Sequence, residues 1–543
     1  MKPAREVIEV NFKELEGLLE RARQGPLGEE DHAKLQAAVR VLSHLIELIG
    51  EKDTTISRLR ALLAKPSTEK TSKVLEQAGI QVPAKDGPPP NAPEKPKPGH
   101  GRNGAQAYGG ARRIPIAHAS LKPGDHCPEC RKGKVYEQKE PALCLRVVGQ
   151  APLAATVYEL ERLRCNLCGQ TFEAEAPEDV GEKKYDESAA AMIGLLKYGS
   201  GIPFYRLEGL EENLGIPLPA STQWEIVAES AELIRPAWGE LIRQAAQGEV
   251  LYKDDTAMKI LALTRASPHS PQGERETSSL RERTGQFTSG IVSTRQGQRI
   301  ALFFTGRKHA GENLAQVLAH RAAGRAAPIQ MCDALARNLP GKLETIVGNC
   351  LAHGRRHFVE VTPNFPQECR FVLETLGKVY SYDAQAAEQG LSPEARLRFH
   401  HLHSAPVMEK LLAWLQGQFE ERKAEPNSGL GTAMTYLLRH WERLTLFLRQ
   451  AGAPLDSNLV ERALKKAILH RKNSLFYKTE NGAEVGDLFM SLIYTCELNH
   501  ANPFEYLTEL QKHAEELAKN PAAWMPWNYH QILPPATTNQ NPA

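Results

Sequence analysis

Three carboxylates and four thiols in this chain have the types and settings to do chemistry. Asp254 lies in a β-rich run and is followed directly by Asp255 and Thr256. Asp333 ends an otherwise apolar run that includes Ile329, Met331 and Cys332. Glu461 stands on a helical stretch with six Lys or Arg residues and no acid from Arg462 to Lys478. Carboxylates on buried elements are costly unless they are paired or bound to cations. Three converging ones suit Mg²⁺ or Mn²⁺, hard ions that take oxygen ligands and stay partly hydrated. Two such ions about 4 Å apart would activate an attacking hydroxyl and stabilise the leaving 3′ oxygen of a phosphodiester. The ordinary alternative for Glu461 alone is an i,i+4 pair with Lys465 on a capped helix. The two further acids favour the chemical reading.

The thiols come as Cys127-Pro-Glu-Cys130 and Cys165-Asn-Leu-Cys168. Each Cys-x-x-Cys knuckle supplies two ligands from a tight turn, and two knuckles complete one tetrahedral structural Zn²⁺ site. Gly133 and Gly169 stand where such knuckles need room. Strand-like runs at Cys144–Gly149 and Thr156–Leu163 predict a zinc ribbon with a hairpin between the knuckles. Cys144 is expected in its core.

The acids need elements to hold them. Val250–Leu263, Thr288–Thr294 and Arg299–Thr305 are strand-like, the last two joined at Gln296-Gly297-Gln298. A helix at Gly311–Arg321 leads to a buried strand at Pro328–Asp333, and another strand-like piece opens a helix at His353–His357. Three antiparallel strands followed by helix, strand and helix is the order of an RNase H-like (retroviral-integrase-like) fold. From about 364 to 450 the pattern is wholly helical, with breaks at Leu391-Ser392-Pro393 and Pro426–Gly429. Glu461 then sits on a helix entered through Pro454 and capped by Asp456, Ser457 or Asn458, with Val460, Leu464, Ala467 and Ile468 as its buried stripe. Asn458, Lys465 and Lys472 project from the sector of Glu461. Strand alternation aims Asp255 away from Asp254.

Ahead of this core, Leu35, Leu42, Ile49, Ile56 and Leu63 recur every seventh residue, the spacing of a dimerising coiled coil. Seven prolines between Pro83 and Pro98 mark an extended linker. Its basic continuation, with Arg102, Arg112 and Arg113, fits either a phosphate-tracking arm or a plain tether. Residues 185–250 resemble a helix-turn-helix in outline, with Tyr205–Asn213, a turn at Gly215–Pro219, and Ser221 capping Thr222–Ile234. That second helix is acidic, which favours packing over base reading.

The chain's 543 residues, 41% hydrophobic and 24% charged, suit several ordinary globular units, and its net charge of +2 requires any nucleic-acid surface to come from local patches. No apolar run reaches the length of a membrane span and the N-terminus lacks a signal-peptide core, so a cytoplasmic protein is expected.

The runs YKDDT (252–256), MCDALARN (331–338), NCLAHGRRHF (349–358) and LDSNLVERALKKAILHRKNSLF (455–476) resemble the IS sixty-six family of bacterial insertion-sequence transposases. Ser67-Thr-Glu-Lys70, GHGRNG, KYGSGIPFYRLEGL (197–210), SPEARL (392–397), Trp414, Trp441 and MPWNY (525–529) follow the family's order, so the resemblance covers most of the chain. Ser457 and Leu351 depart from its usual residues. The resemblance implies a DDE-type DNA transposase with Asp254, Asp333 and Glu461 as the catalytic, metal-binding triad and the 364–450 helices as an insertion within the catalytic fold. The expected fold class is a multidomain α+β protein. It comprises a coiled coil (1–75), linker (76–115), zinc ribbon (116–180), helical domain (181–249), catalytic core (250–363 and 451–500) around the helical insertion, and a C-terminal helix and tail (501–543). Two Mg²⁺ or Mn²⁺ and one Zn²⁺ are the expected ions. DNA ends and target are the expected substrate, contacted by Arg102, Arg112, Arg113, Arg355, Arg356, Asn458, Arg462, Lys465, Lys466, Arg471 and Lys472. A homodimer or larger homo-oligomer, nucleoid association and small accessory proteins are further expectations. The competing readings are a catalytically inactive DNA-binding regulator and an RNase H-fold nuclease without strand transfer.

Overall fold

The computed structural model describes residues 70–80, most of 113–183, 184–265, 284–335 and 344–533, with isolated positions at 22, 28, 31, 32, 35, 106, 108 and 111. The proline-rich linker, Arg102, Arg112, the polar loop at 267–283 and the heptad positions other than Leu35 lie outside the described residues. The chain divides into two compact units, each assembled from separate segments. One unit comprises residues 1–82, 242–257 and 279–465; the other comprises 83–241, 258–278 and 466–543.

The first unit is built on a mixed five-stranded sheet. We number the strands in chain order: β1 (Arg162–Arg164) and β2 (Thr171–Glu173) belong to the second unit, while β3 (Val250–Ala257), β4 (Phe287–Arg295), β5 (Gln298–Gly306), β6 (Ile329–Cys332) and β7 (Ile346–Asn349) form this sheet. Its order is β5-β4-β3-β6-β7. β3, β4 and β5 run antiparallel, and β6 and β7 join parallel to β3. Gln296 and Gly297, with φ of 49° and 83°, make the two-residue turn between β4 and β5. Two positive φ values match the right-handed twist of the flanking strands, and Gly supplies the second without steric cost. Ile291, Val292, Ala301, Leu302 and Phe303 are buried, so this hairpin is interior, not a surface ribbon.

The helical stretch after β7 comprises Leu351–Val361, Pro366–Glu388, Pro393–His403, Ala405–Glu420, Gly429–Arg439 and Trp441–Leu444. Ser392 and Ser428 cap their helices by accepting from Ala395 N–H and Gly431 N–H, at the two expected breaks. Val372, Leu373, Leu376 and Val379 fall on one face of the longest of these helices and enter a core shared with Met408, Leu411, Leu415 and Phe447. The short helix Thr71–Gln77 inserts Val74 and Leu75 into that same core, a packing role that the sequence reading did not give it.

The helix bearing Glu461 spans Asn458–Ser474. Asp456 accepts from Asn458 N–H at 3.1 Å, and the buried Ser457 donates its N–H to Cys350 Sγ at 3.2 Å. Those bonds occupy donors at a helix start that would otherwise lack partners. Val460, Ala463, Leu464 and Ala467 form the buried stripe, while Ile468 is half-buried. A Cβ added to Gly290 of β4 would come within 3.0 Å of Leu464 and 3.2 Å of Val460, so the missing side chain is what lets this helix lie close to the sheet.

In the second unit, β1 and β2 pair across the Cys165–Cys168 turn. The expected hairpin between the knuckles is therefore corrected: the tight knuckle is itself the hairpin turn, closed by Cys165 N–H on the Gln170 carbonyl at 2.8 Å. Residues 146–161 form no strand, and Cys144 is exposed, not a core residue. The helix predicted at Thr222–Ile234 runs Ala220–Ala245, so Ser221 lies within it and is not its cap. The preceding turn is instead closed by Gln223, whose Nε2 donates to the carbonyls of Phe204 and Leu218. Leu261–Arg265 is helical instead of extending β3, because its first N–H groups are taken by the Tyr477 and Lys478 carbonyls. The Glu480–Leu498 helix forms the centre of this unit and is buried along most of its length; its Phe489 ring stacks on Tyr198 at 5.4 Å and abuts Gly194.

Replacing Gly290 by Val would force two methyl groups into the helix–sheet contact. Overpacking of this kind costs about 1–3 kcal/mol. The expected outcome is a lower melting temperature for Gly290→Val, measured by circular dichroism, with Gly290→Ala closer to the parent protein.

Candidate active site

Strand register brings the first two acids together. β3 and β6 pair Val250 with Ile329 and Tyr252 with Met331, each 79 residues apart. Asp254 and Asp333 have that same separation: Asp254 lies within β3, two residues past its last pairing with β6, and Asp333 directly follows the end of β6. Asp254 also lies opposite Gly290 on β4, the residue over which the Glu461 helix packs. Burial pushes the Asp254 carboxyl up to about 6, with the negative charge of Asp333 adding to the shift; Asp255 N–H and the nearby His353 oppose it.

Glu461 approaches from the helix side. Its Oε1 lies 3.8 Å from His353 Nδ1 and its Oε2 3.7 Å from Arg356 Nη2. Glu461 Oε1 and His353 Nδ1 are both buried without a hydrogen-bond partner among the described residues. Cys350, His353 and Glu461 place donor atoms within 4.8 Å of one another, the one such group of three found among the described residues. Asp254 and Asp333 are not part of that tight group. The structure thus brings Asp333 and His353 within electrostatic reach of Asp254 and links Glu461 to His353.

A buried carboxylate oxygen without a partner suits a divalent cation, and the half-buried Asp254 and Asp333 add further oxygen donors in the same unit. The Cys350 thiol is a poor further ligand, because burial pushes it up and it already accepts the Ser457 N–H. Cys350 fixes the helix start, while His353 remains beside Glu461.

Asp255 turns to the opposite face, as strand alternation predicts. Its carboxylate accepts from Ser289 Oγ at 2.6 Å and Ala310 N–H at 2.9 Å, with His309 Nδ1 at 3.3 Å. It holds the start of the Ala310–Leu318 helix and is a structural acid. Sequence reasoning missed Lys253, the residue before Asp254 and Asp255. Lys253 is fully buried, its Nζ has no hydrogen-bond partner among the described residues, and burial lowers it to about 8. Its only signal was a lysine in a strand next to a candidate catalytic acid. His353 and Cys350 were visible only as letters of a longer motif.

The basic residues separate into distinct groups. Asn458, Arg462, Lys465 and Lys472 are exposed on the Glu461 helix, and Arg113 is exposed elsewhere. Lys466 is committed to structure: its ammonium binds Glu497 at 2.7 Å and the Gly199 carbonyl at 3.2 Å. Arg355 donates to Thr71 Oγ1 at 3.2 Å, and Arg471 is half-buried.

Each cysteine pair forms a turn. Cys127 N–H binds the Gly133 carbonyl at 2.8 Å, and Gly133 N–H points at Cys130 Sγ at 3.4 Å. The Cys130 thiol is held below its ordinary value by the Gly133 and Lys132 N–H groups and by the Cys127 side chain. The sulfurs of the two knuckles do not gather into one group within 4.8 Å.

Residues 183–485, more than half of the chain, match a family model of transposases, DNA-processing enzymes whose partner is DNA and whose site takes a divalent metal. The chain belongs to the Transposase IS66 family. It is also similar to three uncharacterized proteins of Sinorhizobium fredii (strain NBRC 101917 / NGR234). Identity to y4jD is 25%, covering 77% of this chain and 81% of the relative; to y4qI it is 26%, covering 63% and 62%. For y4hP it is 23%, covering 68% and 67%. None of the described helices is long and apolar enough to cross a membrane.

The Asp254 shift has a definite sign. Its folded value, about 6, lies above the ordinary 3.8, so the folded protein binds the extra proton between those values. Stability therefore falls as pH rises through that window, by roughly 2–3 kcal/mol in all. Without divalent ions, Asp254→Asn is expected to melt above the parent protein at pH 8, the gap closing as pH falls towards 4. Added Mg²⁺ should stabilise the parent and not the variant; equal stabilisation of both would remove Asp254 from the ion site.

Proposed function

We propose that the protein is a DDE-type transposase that cuts DNA at insertion-sequence ends and joins the freed 3′ hydroxyl to target DNA. The observation that carries this reading is that Asp254 of β3 and Asp333, just past the neighbouring β6, lie within electrostatic reach of each other, while Glu461 keeps a carboxylate oxygen with no hydrogen-bond partner among the described residues. The sheet order, three antiparallel strands then two parallel ones, supports an RNase H-like core interrupted by the helices at 364–450. Two Mg²⁺ or Mn²⁺ ions, when bound, would supply charge stabilisation to the attacking and leaving oxygens of a phosphodiester. Asp254, Asp333 and Glu461 would hold them, His353 would orient Glu461, and Arg356 would balance its charge. Arg462, Lys465 and Lys472 present exposed cations along the same helix for DNA phosphates, whose affinity is salt-dependent.

The remaining assignments accompany that reading. The two Cys-x-x-Cys turns would share one structural Zn²⁺. Val147, Val148, Val157, Leu163, Leu167 and Phe172 are all more than half exposed, so burial contributes little to this small module and a metal would supply what its core does not. The heptad helix would pair two protomers so that two ends are handled together. A nuclease limited to cleavage would share the acid site; an inert DNA-binding regulator would not need the three acids intact.

The test is a Mg²⁺-dependent assay on DNA from the flanks of the encoding gene. Asp254→Asn and Glu461→Gln should each reduce cleavage by at least about 100-fold, since the affected groups act as one unit. Joined products from a precleaved end would separate transposase from nuclease. Full cleavage by either variant would sink the triad.

A further inference from the structure

A cavity of about 650 Å³ opens beside Asp333, lined on one side by Asp333 and Asn349 and on the other by residues 438–443. Those residues span the junction between the Gly429–Arg439 and Trp441–Leu444 helices, where His440 leaves helical geometry (φ −106°, ψ 12°). The bend delivers Arg439, His440, Trp441 and Arg443 to one space.

Three properties of this lining point to one ligand chemistry. Arg439 and Arg443 are exposed, and neither forms a salt bridge among the described residues. His440 is held below its ordinary value by burial and then by both guanidiniums, so positive charge there is only weakly compensated. Asn349 is only 2% exposed; its Nδ2 donates to the Asp333 carbonyl at 3.2 Å, but its Oδ1 has no partner among the described residues. A buried amide oxygen without a donor is costly, and the walls of a binding cavity are where a ligand can supply one. Glu442 also lines the cavity but is exposed, and Asp333 belongs to the acid pair.

We propose that this cavity holds one unpaired nucleotide of the DNA strand next to the reacting phosphate. Arg439 and Arg443 bind its backbone phosphates, Trp441 and His440 offer ring faces to its base, and Asn349 Oδ1 accepts from a base N–H. Cationic side chains combined with aromatic faces are how proteins hold single-stranded DNA without requiring one sequence. The inference rests on the phosphodiester reading of the acid site and adds a strand-positioning role for the helical region.

The test compares the full-length protein's affinity for two labelled duplexes, one blunt and one with a four-nucleotide 3′ single-stranded end. Binding is measured by fluorescence anisotropy in Ca²⁺, with no chemistry required. The parent should prefer the single-stranded end. The double variant Arg439→Ala/Arg443→Ala, which changes only exposed side chains, should lose about tenfold on that duplex and little on the blunt one. Trp441→Ala should behave likewise and Trp441→Phe should retain the preference, with melting curves checking that each folds. Unchanged preference in the double variant, or equal weakening on both duplexes, would overturn the subsite. The outcome is separable from the acid-site reading: loss of the preference alongside full cleavage by Asp254→Asn would support the subsite and refute the triad.

Discussion

The closeness of one helix to one strand is the constraint on which this site depends. A carboxylate can share cations with two others only if its backbone comes within a side chain's reach of theirs. Here the Glu461 helix lies close to β4 because Gly290 has no side chain under Val460 and Leu464, and Gly290 is directly opposite Asp254 in the sheet register. The helix start is held by a different bond, Ser457 N–H to Cys350 Sγ, and Cys350 itself follows β7. One end of the contact is therefore fixed by packing and the other by a buried hydrogen bond. Glu461 lies between those anchors.

Electrostatics within the site follows from the same burial. Burial excludes part of the water around Asp254, and the Asp333 charge adds to the effect, so Asp254 retains its proton more tightly than an ordinary aspartate. Asp255, one residue on, has a sufficient set of donors and serves the Ala310–Leu318 helix. Adjacent, chemically identical residues thus take opposite roles because a strand turns them to opposite faces. The fully buried Lys253 lies beside both, a group with no hydrogen-bond partner that the fold tolerates within this charged neighbourhood.

Much of the scaffold was legible because its signals are local. The Gln296-Gly297 turn, the serine-capped helix starts at 392 and 428, and the alternation of Asp254 and Asp255 each depend on a few neighbouring residues. Misreadings came where distant chain supplied the partner. Leu261–Arg265 looked like continuing strand until Tyr477 and Lys478 took its N–H groups. Ser221 looked like a cap until Gln223 closed the turn. The acids themselves were legible as isolated carboxylates in apolar settings. Their pairing was not, because nothing local states that a separation of 79 residues is also a strand register. His353 was hidden for a related reason: its importance lies in an orphaned contact with a helix that begins more than a hundred residues later.

The separation of Asp333 from Glu461 also sets an order of events during synthesis. The acid pair lies on strands that are complete before the helical region is made, whereas Glu461 follows Asp333 by 128 residues. At typical elongation rates of about 5–20 residues per second, that interval is on the order of ten seconds. During it the nascent chain carries two of the acids and lacks the third. A product that stopped within the helical region would keep the cysteine turns and the strands yet have no Glu461, so the proposed chemistry would be available only to a chain that has already made the segment proposed to position its substrate.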